Sequence, residues 1–100
     1  IIRIEQLYPF PYDEVKAQLE QYPKLKELLW CQEEPKNQGA WFVTRHRLEQ
    51  CMPKDVVLMY SSRTPMAAPS AGYPALYKKH QSELVKRALN IDNFEPFIVR

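Results

Sequence analysis

The sequence is poor in glycine, which limits the ligands that its loops can hold. Only 2 of its 100 residues are glycine, Gly39 and Gly72, and it has neither a G-x-G-x-x-G segment nor a Walker-type loop. Such loops bind phosphate groups through backbone N–H groups that closely spaced glycines expose. A glycine-rich phosphate cradle is therefore excluded, and we predict no cofactor-binding residue in this chain.

Disulfide and metal motifs are also lacking. Cys31 and Cys51 are the only cysteines, and each falls inside a predicted strand or helix, so we expect two reduced, buried thiols. His46 and His80 are isolated from other ligands at metal-binding spacing, so we predict no metal site. We expect His46 on a solvated or interface face of a helix, and His80 half-buried with a hydrogen bond.

The chain has neither a long apolar run nor an excess of one charge. No apolar stretch approaches the roughly 18 residues of a membrane span and no cleavable signal is visible, so we expect no membrane partner. The 14 basic and 12 acidic residues are spread along the chain, whereas nucleic-acid-binding proteins concentrate theirs in a patch. The nearest to a patch, residues 78–80 with 86–87, is interpreted as a solvated helix face. We expect no nucleic-acid partner.

The remaining composition indicates one globular domain. Hydrophobic residues make up 45% of the chain and charged residues 26%, which suits a single core. We place the domain at residues 1–90 and a tail at residues 91–100, whose apolar side chains we expect to dock on a neighbouring surface. The chain begins at Ile1 without a methionine, inside a predicted strand. We therefore expect a piece of a longer polypeptide that lacks an upstream strand.

Hydrophobic periodicity predicts three strands that alternate with three helices. The strands are predicted at residues 1–4, 28–31 and 56–60, and the helices at about residues 12–22, 38–52 and 75–90. The later two strands are continuous apolar runs, typical of strands covered on both faces, with the last one central. This alternation predicts an α/β fold with a parallel or mostly parallel sheet. The proline-rich loop over residues 61–74 is expected to be ordered against the domain.

The segment that joins the second strand to the second helix has an unusual composition. Its distinctive residues are Glu33, Glu34, Asn37 and Gly39. Adjacent carboxylates on an extended chain point in different directions, so they do not form a general acid and base pair. We interpret the segment as a structural corner: the carboxylates favour the helix N-terminus, Asn37 is the N-cap candidate, and Gly39 permits close approach of the chain. A subunit contact is the alternative role for the carboxylates.

No residue of the chain is predicted to be catalytic. Cys31 has no neighbouring base, and apolar surroundings would raise the pKa of its thiol. None of the serines lies in a G-x-S-x-G elbow. Arg63 follows the central predicted strand, and ligands of open α/β sheets bind at the carboxyl ends of strands, so it is the candidate anion or effector contact. Alternatively, Arg63 is structural and bonds carbonyl groups, Glu33 or Glu34.

Three blocks of sequence resemble one known family, in order and at similar spacing. The blocks are residues 3–11 (RIEQLYPFP), residues 30–41 (WCQEEPKNQGAW), and Arg63 with residues 66–72 (MAAPSAG). They are similar to the closing segment of the decarboxylating first component of 2-oxoglutarate dehydrogenases, a family that uses thiamine diphosphate, and they span about residues 2–90. This chain departs from the family in having Ser62 where a glycine commonly precedes the arginine.

The resemblance implies a partial transketolase C-terminal-like domain with three α/β/α layers. The parent enzyme would decarboxylate 2-oxoglutarate oxidatively and transfer a succinyl group to lipoamide in the citric acid cycle. Its thiamine diphosphate and magnesium would be held by upstream domains, so the isolated segment is expected to be inactive. The expected partners are the rest of the parent chain, a homodimer mate and the dihydrolipoyl succinyltransferase component of the multienzyme complex.

The resemblance leaves other points open. Some family members have an allosteric site for an acyl-CoA or a nucleotide in this region. The parent enzyme would be located in the bacterial cytoplasm or in the mitochondrial matrix. There are two alternative interpretations. The chain is the equivalent domain of a 2-oxoadipate dehydrogenase, or it is a free-standing regulatory or anion-binding module of the same fold.

Overall fold

Helices and strands alternate along most of the chain. The computed structural model describes residues 1–63, 74–90 and 97–98. The helices are α1 (Tyr12–Glu20), α2 (Trp41–Cys51) and α3 (Pro74–Leu89), and the strands are β1 (Glu27–Pro35), β2 (Val57–Arg63) and β3 (Phe97–Ile98). All three predicted helices and the two later predicted strands are confirmed, with shifted ends. The expected order of the loop before α3 falls on residues that are mostly outside the described part.

The first helix shows how local chemistry sets these boundaries. It begins directly after Pro11, whose ring suits the start of a helix, and Asp13 and Glu14 occupy its first turn, where carboxylates complement the helix dipole. It ends at Glu20, two residues before the predicted end and three before Pro23. Val15 and Leu19 are its buried residues, one turn apart on the inner side.

The sheet has the order β1-β2-β3, so β2 is central, as predicted. Strand β2 pairs with β1 in parallel, from Glu27 opposite Val57 to Cys31 opposite Ser61. It pairs with β3 in antiparallel fashion, with Tyr60 opposite Phe97. The expected parallel arrangement therefore holds for the β1–β2 pair only, and the predicted tail contributes the antiparallel edge.

The strand predicted at residues 1–4 is wrong. No regular secondary structure precedes α1, and Ile1 and Ile2 are exposed, although Ile4 packs against the core. β-Branched residues favour a strand only where a neighbouring strand and a packed face are available. Residues 1–4 have side chains suited to a strand but occupy no place in the sheet.

One hydrophobic cluster joins the first two helices to the sheet. Its buried members are Phe10, Val15, Leu19, Trp41, Leu48, Cys51 and Leu58. The indole ring of Trp41 stacks on the ring of Tyr60 at a centroid distance of 4.9 Å. These contacts fix α2 against β2, since Leu58 and Tyr60 point to the same side of the strand.

Helix α3 contacts β2 through a different set of residues. Leu84 is only 1% exposed, and the Ser61 hydroxyl donates a 2.6 Å hydrogen bond to its carbonyl oxygen. Successive strand residues point to opposite faces, so Ser61 lies on the face opposite Leu58 and Tyr60. Within the described ranges, none of the helices has the length and apolar character needed to cross a membrane.

Candidate functional site

The carboxyl ends of β1 and β2 meet at one edge of the sheet, and the predicted site residues lie around it. Pro35 stands opposite Arg63, and the backbone N–H of Lys36 donates a 3.0 Å hydrogen bond to the Arg63 carbonyl. The pairing is irregular between Cys31 and Pro35. This irregular end of β1 turns the chain away from the sheet toward α2.

Gln32, which is not among the predicted site residues, contributes several hydrogen bonds to this corner. The residue is 7% exposed, and its Nε2 lies 2.9 Å from the carbonyl oxygens of Pro35 and Gln38 and 3.2 Å from that of Glu34. Its Oε1 accepts a 2.8 Å hydrogen bond from the indole Nε1 of Trp30. One amide group thus satisfies the carbonyls of a turn that no helix or strand would satisfy.

The alternation of inward-facing and outward-facing side chains along β1 indicates that Gln32 faces inward. Leu28 and Trp30 pack against the core cluster, and Gln32 follows them on the same side of the strand. A polar residue at an inward position requires hydrogen-bond partners within the protein. The partners themselves could not be read from the sequence, because three of them are backbone carbonyls positioned by the turn.

Gly39 adopts a backbone conformation that ends the corner. Its φ is +68°, in the left-handed region that favours glycine. A Cβ atom at this position would lie 3.0 Å from both the Cβ and the Oε2 of Glu34. Glycine is therefore required twice, by the backbone angle and by the close approach of the Glu34 side chain.

Asn37 is not the N-cap of α2, contrary to the prediction. The N-cap position is Ala40, which makes no side-chain capping hydrogen bond, and the helix begins at Trp41. Since Gly39 is in the left-handed conformation, the helix cannot include it and starts three residues later than expected. Asn37 lies in the preceding turn and is exposed.

The two adjacent carboxylates have different surroundings. Glu33 and Glu34 are consecutive residues of β1, both exposed. The Oε1 of Glu33 accepts a 3.3 Å hydrogen bond from Nε2 of Gln81 on α3, whereas Glu34 packs against Gly39. Each carboxylate is engaged with a different element, which is unlike the converging geometry of a general acid and base pair.

Arg63 is buried where β2 meets α3. Its side chain is 4% exposed, its guanidinium carbon lies 4.3 Å from the centre of the Tyr77 ring, and its Nη2 donates a 2.8 Å hydrogen bond to Oε1 of Gln81. Gln81 thereby bridges Arg63 and Glu33, in place of the direct bond that is the alternative prediction for these two residues. The Nε of Arg63 is buried and has no hydrogen-bond partner in the part of the chain that the structure describes.

The cysteines differ from each other in exposure. Cys51 is buried, as predicted, but Cys31 is exposed, and both are free thiols. The prediction failed for Cys31 because β1 is an edge strand of the three-stranded sheet and is not covered as a central strand would be. Partial desolvation nevertheless raises the pKa of the Cys31 thiol, and the nearby Glu33 carboxylate raises it further.

The two histidines differ in their surroundings. His46 is exposed on α2, as expected, and His80 is half-buried. The Nδ1 of His80 is buried without a hydrogen-bond partner among the described residues, so the bond expected there is not found at that nitrogen. Over the same residues, no group of three or more His, Cys, Asp or Glu side chains could hold a metal ion.

Comparison with known proteins identifies close relatives of this sequence. Residues 1–89 match a family model described as "2-oxoglutarate dehydrogenase C-terminal". Proteins named "2-oxoglutarate dehydrogenase E1 component" from Coxiella burnetii and Haemophilus influenzae are 66% and 50% identical over 91 and 90 residues. These alignments cover 91% and 90% of this chain and 10% of each relative. The chain therefore spans about a tenth of the length of the curated relatives it matches.

We predict that the Gln32 amide contributes strongly to stability. Replacing it by methionine, Gln32→Met, keeps the side-chain length but removes every hydrogen bond of the amide. The free energy of unfolding should fall by about 1–3 kcal/mol, because the carbonyls of Glu34 and Gln38 lose this donor, while that of Pro35 keeps the backbone N–H of Gln38. Urea unfolding measures the change. The control Gln50→Met, at an exposed position of α2, should change stability by less than about 0.5 kcal/mol, and equal effects of the two substitutions would contradict the assignment.

The raised pKa of Cys31 predicts its reactivity. A raised pKa lowers the thiolate fraction at pH 7–8, so alkylation by iodoacetamide should be slower than for an unstructured cysteine peptide, with a midpoint at higher pH. Glu33→Gln should move the midpoint to lower pH, while Glu34→Gln should leave it unchanged. A Cys31 midpoint at or below that of the peptide refutes this prediction.

Proposed function

This chain belongs to the 2-oxoglutarate dehydrogenase C-terminal family, and on that basis we propose that it is the non-catalytic C-terminal domain of a 2-oxoglutarate dehydrogenase E1 component. The observation that carries the proposal is the match over residues 1–89, supported by relatives with that name at up to 66% identity. The parent protein would decarboxylate 2-oxoglutarate oxidatively, and this domain would support its assembly.

The thiamine diphosphate and magnesium of the parent enzyme would be held outside this segment. A magnesium diphosphate group needs oxygen ligands for the metal and closely spaced backbone donors for the phosphates. The described residues offer no cluster of carboxylates that could hold a metal ion. With only 2 glycines, the sequence also has no phosphate loop. These two observations support a cofactor site outside this segment, so no step of the reaction is assigned to its residues.

The arrangement of the elements supports a more specific fold proposal. We propose a three-layer α/β/α domain of the transketolase C-terminal type over residues 1–90, with residues 91–100 as a tail. Two observations support this proposal: the core cluster joins α1 and α2 to Leu58 of β2, and the hydrogen bond from Ser61 to Leu84 joins α3 to a residue on the opposite face of that strand. The pairing of Phe97 and Ile98 with β2 is consistent with a tail that docks on the domain.

The partners of the domain follow from the same proposal. The rest of the parent chain, a homodimer mate and the dihydrolipoyl succinyltransferase component are the proposed contacts. Large apolar side chains are available for such contacts on α2, where Phe42 and Val43 are each 59% exposed. The bacterial relatives favour a cytoplasmic location, and a mitochondrial matrix location is the alternative for a eukaryotic parent.

A second proposed role concerns Arg63 as an anion or effector contact. Its side chain lies at the carboxyl end of β2, the edge where open α/β sheets bind ligands. Two of its interactions are made within the domain, to Tyr77 and Gln81, but its buried Nε has no described partner. A phosphate or carboxylate oxygen would satisfy that donor by a charge-assisted hydrogen bond.

The main proposal predicts where activity resides. The natural full-length polypeptide, with thiamine diphosphate and magnesium, should release carbon dioxide from 2-oxoglutarate, and the 100-residue chain alone should release none. Turnover by the isolated chain would overturn the non-catalytic assignment. A preference for 2-oxoadipate would identify the related dehydrogenase, and a reading frame without an upstream thiamine-binding segment would favour a free-standing regulatory module.

The Arg63 proposal predicts a separable effect on regulation. Arg63→Gln in the full-length protein should weaken the response to an acyl-CoA or nucleotide by about tenfold or more, since a hydrogen bond to a charged group contributes about 1.5–3 kcal/mol. Gln81→Met removes the partner of Arg63 but keeps the guanidinium, so it should retain most of the response. If Arg63→Gln leaves the response intact, or if both variants lose it equally, Arg63 is structural only.

A further inference from the structure

Strand β1 is paired along one edge only. Its ladder partner is β2, and its other edge has no paired strand in the part of the chain that the structure describes. The carbonyl of Lys26 accepts a 2.9 Å hydrogen bond from β2, and backbone groups alternate in direction along a strand. The backbone groups of Leu28 and Trp30 therefore also point to β2, whereas those of Leu29 and Cys31 point to the open edge.

The open edge lacks the features that protect most edge strands. Natural edges are usually short or irregular, or carry lysine or proline, because an exposed regular strand pairs readily with another chain segment. Residues 27–31 (ELLWC) contain neither lysine nor proline, and their pairing with β2 is regular up to Cys31. The apolar run of Leu28, Leu29 and Trp30 is also typical of an interior strand of a parallel sheet. These properties indicate that β1 has a second neighbouring strand.

The two helices that flank β1 in the sequence indicate where the preceding strand lies. Helix α1, before β1, and helix α2, after it, share one hydrophobic cluster with Leu28 and Leu58, so both pack on the same face of the sheet. Crossovers between parallel strands are right-handed. Two right-handed crossovers over one face move across the sheet in the same direction. Since α2 leads from β1 to β2, the strand that precedes α1 belongs on the opposite side of β1, at the open edge.

The residues directly before α1 do not occupy this edge. Residues 1–4 have strand-type side chains but form no ladder, although Ile4 packs against the same hydrophobic cluster. Ile1 and Ile2 are exposed. The alignments cover 10% of each curated relative, and the matching family model is described as C-terminal. A polypeptide of that family therefore has many segments N-terminal to residue 1 that are available to form a strand.

We propose that a strand N-terminal to residue 1 of the longer polypeptide adds to the open edge of β1 in the parallel direction, between β1 and residues 1–4. This strand belongs to the larger enzyme of which this chain is the C-terminal part under the proposed function, on which the inference rests. The added strand accepts hydrogen bonds from the N–H groups of Leu29 and Cys31, and residues 1–4 pair with its far edge. Every strand-type segment of the domain then has a neighbour in the sheet.

A second copy of the chain fits this edge less well. A two-fold axis at a sheet edge places two copies of β1 side by side in antiparallel fashion, because closed symmetric dimers use the same surface on both subunits. Such a pair leaves residues 1–4 without a neighbouring strand. It also leaves α1 without a parallel crossover, which the alternation of strands and helices favours.

Hydrogen–deuterium exchange on the natural full-length protein tests the pairing. The amides of Leu29 and Cys31 should be protected about tenfold or more relative to an unstructured peptide, because an amide in a ladder exchanges only when the ladder opens. The amides of Leu28 and Trp30, which point to β2, are the internal control for a paired edge. Exchange of the Leu29 and Cys31 amides at the peptide rate overturns the proposal.

A photo-crosslinker identifies the neighbour and its direction. The amino acid p-benzoylphenylalanine is introduced at Glu27 in one full-length variant and at Cys31 in another, and at Val43 of α2 as an exposed control. The first two variants should crosslink within one polypeptide to the same segment N-terminal to residue 1, and the Val43 variant should not. The site reached from Glu27 should precede the site reached from Cys31 by about four residues, as parallel pairing requires.

The outcomes distinguish the candidate neighbours. Co-expression of isotopically labelled and unlabelled copies separates crosslinks within a polypeptide from crosslinks to a second copy. Crosslinks to a second copy, or crosslinks confined to residues 1–100, overturn the proposal, and the reverse order of the two sites overturns the parallel direction. A separate assay of carbon dioxide release from 2-oxoglutarate tests the proposed function: an inactive protein with the expected crosslinks retains the added strand, and an active protein without them does not.

Discussion

The hydrogen bonds of the Gln32 amide determine how the sheet connects to the helix that covers it. The register of β1 shifts between Cys31 and Pro35, and the chain leaves the sheet after Pro35. An irregular turn exposes carbonyl groups that neither a strand nor a helix can satisfy. Gln32 supplies donors for those of Glu34, Pro35 and Gln38 from a buried position. These bonds add to the backbone hydrogen bonds from Gln38 to Pro35 and from Lys36 to Arg63, which also hold the turn.

The fixed path of the turn determines two further arrangements. It carries Gly39 into a left-handed conformation beside Glu34, which delays the start of α2 until Trp41. Trp41 then enters the core almost completely buried and stacks on Tyr60 of the central strand. The corner motif therefore contributes to core packing, because it sets the residue at which α2 begins.

Sequence patterns predicted the parts of this fold that depend on local periodicity. The helices and the two apolar strands were predicted because their side-chain spacing reflects the face that each element buries. The strand predicted at residues 1–4 was wrong, because these residues have strand propensity but no neighbouring strand to pair with in the sheet. Cys31 was expected to be buried, but the position of β1 at the sheet edge depends on the complete strand order.

The candidate site was predictable to a smaller extent, because its contacts are between distant segments. Arg63 was recognised from its place after the central strand, and Glu33 from its composition, but Gln81 lies 18 and 48 residues from these two partners along the chain. No spacing rule indicates such a bridge. The bridge also has a structural consequence, because Gln81 joins α3 to the ends of both parallel strands. A ligand that repositions Arg63 would therefore also disturb the hydrogen bond between Gln81 and Glu33, so the ends of β1 and β2 and the position of α3 are linked through one side chain.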